Sequence, residues 1–564
     1  MRSAVESSPS RLRFRPAAIA SWLALAAPFL LFALVLPQFS ELPRNDYWGD
    51  LLKVATPDGE LSKDPRVWLA TRSNEHWIGA LIPLWLANYA ATGGDNRGLG
   101  AISLLLLVVL FAILYRRLPI EVRRRPLRRL LWGLPIAAAV ASPAAAHNWE
   151  LGFSGNQWFL ANLMAVWALA RLARGPREWP RDLPAVVWPL AVAILTHSTY
   201  LSLAAALGAG AVILPQRRAM RIGLVAVATA AVAAFAIGYE RPPHHPAPRR
   251  DPLAAVEFTL QYLGGFFSEQ PVVTLIVGAL GVAILALAAG RLLRGPSAVE
   301  ERFWLLIAIY GATSGALTAV ARGGLGQGLA TATSRYASLQ ALFWIGTLTA
   351  AALALRDRAL PRALRFATGL LLVGGLVANE RIGLDRVIAR LDRDRWQPPA
   401  ALALRWGVTD REVLAHVSQF MPPRSIQLLR KLGHVPFDRP AEGPPGALVP
   451  PPAPGAPTDG AWTTTRTLER RDYLRVSGTL PRRDVDIVLF LDAAGAVRGA
   501  AVPLAEPATG LGALVGLRPP VRHWIGYLKR EDAATAVPVY RATGDGPTVA
   551  LAIAPGARRV QRDE

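Results

Sequence analysis

The chain has 564 residues, 52% of them hydrophobic, and a mean hydropathy of +0.28, too apolar for an ordinary soluble enzyme. Its 62 Lys and Arg outnumber 40 Asp and Glu, but the arginines punctuate long apolar runs, which is a membrane-topology signal rather than a nucleic-acid-binding face. No cysteine is present, which excludes a disulfide framework, a thiolate metal site and a cysteine nucleophile.

Arg11, Arg13 and Arg15 precede an apolar run at 17–36. The arrangement resembles a signal peptide, but about 20 apolar residues suffice to span a bilayer. With no convincing small-x-small cleavage site, the run is expected to be a retained first helix. Apolar segments at 99–115, 130–147, 157–172, 184–196, 199–215, 221–238, 270–290, 303–320, 336–355 and 362–379 bring the expected spans to eleven. The arginine clusters at 11–15, 116–129, 171–181, 217–221, 291–294 and 356–362 fall on one side of that scheme. The positive-inside rule makes this side cytoplasmic, with the N-terminus inside and the C-terminal region outside.

WIGALIPLWLANYAA (77–91) is short for a span, and a crossing there would carry the arginines of 116–129 outside. It reads as an interfacial helix within the first outer loop, 37–98. Residues 1–379 are thus expected to form a polytopic α-helical membrane domain. Short amphipathic helices follow over 380–433, then a Pro/Gly-rich linker over 434–460. From 461 to 564, brief alternating runs between turn signals predict a small β-sandwich.

Polar residues at membrane depth or just outside it are informative, since they are costly there unless paired or used. The first outer loop holds Asn45, Asp46, Tyr47, Trp48 and Asp50 in RNDYWGD, and Asn74, Glu75 and His76 in SNEHW. Asp46 and Glu75 are carboxylates able to converge on one cavity. Glu75 precedes the interfacial helix, whose N-terminus favours an anion. The plain reading is solvated loop charge for Asp46 and Asp50, and a capping partner for Glu75.

HNWELGFSGNQWF (147–159) contributes His147, Asn148, Trp149, Glu150 and Trp158. Aromatic faces beside amides suit a sugar ring, and tryptophans at an interface also serve as anchors. In ARGGLGQGLATATSRYASLQALFW (321–344), Arg322 and Arg335 are the basic residues, and Tyr336 follows the second. An arginine kept on the outer face calls for an anionic partner such as phosphate; the plain alternative is snorkelling at headgroup level. His244 and His245 stand beside prolines and read as a wet turn, and no metal site is assigned.

The order NDYW, SNEHW, NWELGFSGNQWF, TSRYASLQALFW resembles a largely uncharacterised family of bacterial integral membrane proteins with NEHR-like and SRY motifs; NEHW stands here in place of NEHR. More broadly, the many spans, the acid in the first outer loop, the interfacial helix and the outer C-terminal domain resemble the GT-C class of membrane glycosyltransferases. The resemblance covers about 15–380. It implies transfer of a sugar from a polyprenyl-phosphate-linked donor to an envelope glycan, lipid or protein acceptor on the periplasmic face of the bacterial inner membrane.

Under that resemblance Asp46 would act as general base on the acceptor hydroxyl. Glu75 would be the second acid, holding a sugar hydroxyl or a cation. Arg335 and Arg322 would stabilise the departing lipid phosphate, and the remaining polar and aromatic residues of these motifs would bind substrate. Oxygen ligands would suit Mg or Mn, yet many members of the class work without metal, and no cofactor is assigned. Membrane lipids and a glycan or glycolipid acceptor are the expected partners, and nucleic acid is not. The alternatives are an O-antigen polymerase or ligase, a flippase of lipid-linked sugar, and a non-catalytic envelope-assembly protein.

Overall fold

The computed structural model describes residues 16–552 apart from 57, 175–180, 240–246, 248–250, 296–298, 327, 357–361, 419–420, 439–443, 450–461, 468–471, 480–484, 518–522 and 543–550. The apolar runs are helices, the structure that satisfies backbone N–H and C=O groups within one segment, as hydrocarbon requires. Among the described residues, seven are long and apolar enough to cross a membrane: Pro16–Gln38, Asn96–Arg116, Pro126–Glu150, Arg218–Ala236, Pro271–Arg294, Glu301–Leu325 and Ser334–Ala354. Leu23, Leu30, Leu34, Leu105, Val225, Ile276 and Leu287 are exposed on them, as on a lipid-facing surface. Pro184–Ile194 and Tyr200–Ile213 are shorter apolar helices. The chain is a multi-pass membrane protein.

Gly152–Leu172 runs through the centre and is buried on almost every side. Its polar side chains find partners inside the bundle. Asn156 donates to the Leu99 carbonyl at 2.7 Å and to Ser103 at 2.8 Å, and Asn162 accepts from Tyr310 at 2.9 Å. Pro252–Gly264 is a helix that apolar periodicity did not reveal; Asp251 caps it by accepting from the Leu253 and Ala254 N–H groups. It packs backbone to backbone on Pro271–Arg294, where a Cβ at Gly264 or Gly278 would strike the Thr274 or Leu260 carbonyl. The last long helix, Arg362–Asp394, is continuous. The composition change at 380 therefore marks no helix end: no proline interrupts the run that follows.

The loop after the first span folds into small elements. Pro65–Ala70 is capped by Asp64, which accepts from the Arg66 N–H at 2.8 Å. Strands β1 (Arg72–Ser73) and β2 (His76–Trp77) pair antiparallel across the turn Asn74-Glu75. Asn74 takes φ 50° there, a left-handed value that asparagine tolerates. The helix expected over 77–91 begins only at Ile82, because Pro83 fits the first turn and not the interior.

After Asp394 come helices Gln397–Trp406, Arg411–Ala415 and Pro423–Leu432. Tyr47, Trp48 and Leu51 of the first loop share one core with Leu404, Leu428 and Leu429 of these helices. The C-terminal strands are β3 (Trp462–Thr467), β4 (Tyr473–Thr479), β5 (Val485–Leu491), β6 (Val497–Leu504), β7 (His523–Lys529), β8 (Val537–Ala542) and β9 (Leu551–Ala552). They form one antiparallel sheet in the order β3-β4-β7-β6-β5-β8-β9.

This corrects the expected sandwich. The described C-terminal strands make a single sheet, whose Ile487, Ala500 and Tyr527 join the core of the first loop and the helices. Val476, Val488, Phe490, Trp524 and Leu528 form a second, smaller core. Alternation predicts strands but is blind to what covers each face. Arg475 on β4 reaches Asp410 at 2.7 Å and Glu412 at 2.9 Å, and Tyr527 donates to Asp410 at 3.1 Å. The expected linker also starts late: His434 is buried, and the Val435 N–H donates to the Gly93 carbonyl at 2.9 Å. First loop, short helices and sheet therefore sit together at one end of the bundle.

Candidate functional site

A cavity of about 270 Å³ opens at that end, lined by Glu75, His76, Trp158, His197, Arg322 and Tyr336 among others. Glu75 lies in the hairpin turn, which corrects its expected place at a helix N-terminus. Arg322, closing the helix Val299–Arg322, donates to Glu75 Oε1 at 2.6 Å. His76 Nε2 is 3.4 Å from the same oxygen, while its Nδ1 accepts from the Ser198 N–H at 3.4 Å. The His76 ring lies 4.0 Å from that of His197, which lies 4.1 Å from Trp158. Burial, with His76 beside it, holds the His197 imidazole well below its ordinary pKa, so the ring is neutral. The cavity is thus an acid–base pair framed by aromatic faces.

Arg335 belongs to the turn Ser334–Tyr336 that opens the helix Ala337–Ala354. Asn148 donates to the Arg335 carbonyl at 3.1 Å. Ser334 accepts from the His147 N–H at 3.1 Å and donates to the Ala144 carbonyl at 2.5 Å. The guanidinium it positions is acted on by Tyr336, Arg322, Asp46 and Arg390, and its Nε has no hydrogen-bond partner among the described residues. The neighbouring arginines are matched. Arg322 meets Glu75, Arg390 meets Glu150 at 2.7 Å, and Arg386 meets Glu269 at 2.6 Å. Arg44 is buried between Glu150, at 2.8 Å, and Asp394.

Asp46 is exposed at the head of helix Tyr47–Lys53. It acts electrostatically on Arg335 but does not line the cavity holding Glu75. Asn45, at φ 49°, is half-buried beside it, and Asn74 is exposed at the hairpin turn. Trp158, Arg322, Tyr336 and His76 gather with Glu75.

Other expected substrate contacts lie buried in the protein. Tyr47 is buried, its hydroxyl 3.0 Å from His434 Nε2. Trp48 is fully buried and donates to the Pro43 carbonyl at 2.8 Å. Trp149 stacks on Phe32 with ring centres 4.3 Å apart. None of the three offers a free ring face to a sugar. Asp50 is buried as well; burial pushes its carboxyl above the usual range, against the pull of Lys53 at 2.7 Å. Asn148, wholly buried, acts through the backbone of Arg335.

Arg44, Arg386, Arg390, Asp394 and His197 are not among the sequence candidates, and Glu150, named with its motif, carries no role there. Arg386 and Arg390 lie one helical turn apart, and Arg44 is a further arginine on the first-loop side; both signals were open to reading. Among the described residues no group of three or more His, Asp or Glu could hold a metal ion. His244 and His245 lie outside the described residues.

No family model matches the chain, and no curated protein matches it. A solved structure does: the crystal structure of ArnT from Cupriavidus metallidurans bound to undecaprenyl phosphate, 13% identical, with a TM-score of 0.37, over 74% of this chain and 77% of that one.

Proposed function

We propose that the protein is a membrane glycosyltransferase that takes its sugar from a polyprenyl-phosphate-linked donor. The observation that carries this reading is Arg335: a guanidinium near the end of an apolar helix, with an unmatched Nε, in the company of Arg322 and Arg390. Such a group is suited to an anion delivered from the bilayer, and guanidinium suits phosphate oxygens. The first-loop end is assigned to the outer face, since the arginine-rich connections lie at the other end.

In the proposed reaction the donor phosphate rests on Arg335, with Arg322 beside it. Asp46 takes the proton of the acceptor hydroxyl. The acceptor oxygen then bonds to the anomeric carbon as that carbon's bond to the phosphate oxygen breaks, and the electron pair leaves with the lipid phosphate. Arg335 stabilises the charge that develops there. Glu75 is held by Arg322 and is better placed to grip sugar hydroxyls than to take a proton, whereas Asp46 is exposed. His76, Trp158 and Tyr336 frame the sugar.

A polymerase- or ligase-like enzyme using the same lipid donor is the second reading, favoured by Arg386 and Arg390, which come late in the chain and meet partners at the same end. Sugar transfer from a polyprenyl-phosphate donor by Asp46→Asn tests the assignment. The account expects a loss of roughly a hundredfold or more with normal membrane expression, and unchanged product would remove Asp46 as the base.

A further inference from the structure

The sheet carries a loop between β6 and β7 whose sequence, EPATGLGALVGL (506–517), is apolar and glycine-rich. Leu511–Val515 forms one 3-10 turn, with Gly510 at φ 62° before it and Gly516 at φ 78° after it. The Leu517 N–H donates to the Gly512 carbonyl at 2.9 Å, closing the loop on itself. Both faces of the turn are apolar, but they meet different surroundings. Ala513 and Leu514 are buried in the core of the membrane bundle, together with Ala508. Leu511, Val515 and Leu517 are 64%, 56% and 71% exposed.

The turn packs on the first helix, Pro16–Val35, and on Arg362–Asp394, and Gly516 lies against the Gln38 side chain. Gln38 closes the first apolar span, Pro16–Gln38. That span shows Leu30 and Leu34 outward at 52% and 58% exposure. The exposed residues of the loop therefore continue a lipid-facing surface at the level where it leaves the hydrocarbon. Large apolar side chains grouped on an exposed face mark an interaction site, and continuity with the lipid-facing helix says which partner covers this one.

We propose that Leu511, Val515 and Leu517 enter the bilayer at the headgroup–acyl boundary and tether the C-terminal sheet to the membrane surface. An apolar face of this size binds at the interface without spanning it. The partner is the lipid itself, and the tether holds the sheet beside the first loop whatever reaction occurs there, so it stands independently of the glycosyltransferase reading.

The absence of cysteine from the chain makes the test direct. Leu511→Cys, Val515→Cys and Leu517→Cys are made singly in the full chain, labelled with a nitroxide and reconstituted in phosphatidylethanolamine–phosphatidylglycerol vesicles. Glu531→Cys, exposed in the turn Arg530–Asp532 at the far end of β7 from this loop, serves as the aqueous reference. The proposal expects oxygen to collide with the loop labels more often than a water-soluble nickel complex does, with the order reversed at 531. Nickel-dominated collisions at all three loop positions would overturn it. Spin–spin broadening that vanishes on dilution with unlabelled protein would overturn it too, because the face would then be covered by a second copy.

Discussion

Arg322 donates to Glu75 at 2.6 Å, joining the end of a membrane-spanning helix to the turn of a hairpin in the first loop. The two residues are 247 positions apart, so the bond fixes the loop over the cavity. Both side chains are largely buried, and a pair in that setting is coupled more strongly than one at the surface. Glu75→Gln and Arg322→Gln, alone and together, are expected to give a coupling of about 1–2 kcal/mol in thermal unfolding. Additive effects would mean that the contact does not hold the loop.

Arg44 is expected to be a stability residue. It is 2% exposed between Glu150 and Asp394. Burial pushes the Asp394 carboxyl up and Arg44 draws it down. Arg44→Leu leaves two buried carboxylates without this counter-charge, and a loss of roughly 3–5 kcal/mol follows, measured as detergent-stable folded fraction against temperature.

Asp50 gives a prediction with a pH sign. Its folded-state pKa lies above the unfolded value, chiefly through burial. The folded state then holds the proton more tightly, so the contribution is present below the unfolded pKa and lost as pH rises through the folded one. Asp50→Asn removes that loss: it is expected to raise the melting temperature at pH 7, with the gain shrinking toward pH 4. Sugar transfer should persist, since the carboxylate is turned to Lys53 rather than to the cavity.

Tyr47 separates a structural role from a sugar platform. Tyr47→Phe keeps the ring against Trp85 and Phe153 and loses only the contact with His434. A stability cost of about 1 kcal/mol is expected, with the apparent KM for donor unchanged. A raised KM would return Tyr47 to the binding site.

The long helices were legible because their apolar runs are bounded by arginine, proline or glycine, whereas Pro252–Gly264 lacks such a run. The break expected at 380 was a change of solvent rather than of backbone, and composition reports the first more readily than the second. Tyr47 and Trp48 looked like interface aromatics because nothing local reveals that helices Gln397–Trp406 and Pro423–Leu432 fold back over them. The association of Glu75, His76, Trp158, His197 and Arg322 is equally non-local: it joins four chain segments, and only arginines standing against the expected topology hint at it. Arg335 was legible for that same reason, as a charge standing against the topology rule without an evident partner.

The account rests on Arg335 receiving a lipid-borne phosphate, and binding measures this most directly. Polyprenyl phosphate titrated onto the full chain in nanodiscs, wild type against Arg335→Gln, is the comparison. Saturable binding by the wild type, weakened roughly ten- to a hundredfold in the variant, is the result predicted for loss of a charge-assisted hydrogen bond. Equal affinity in the two proteins, or none in the wild type, would contradict it.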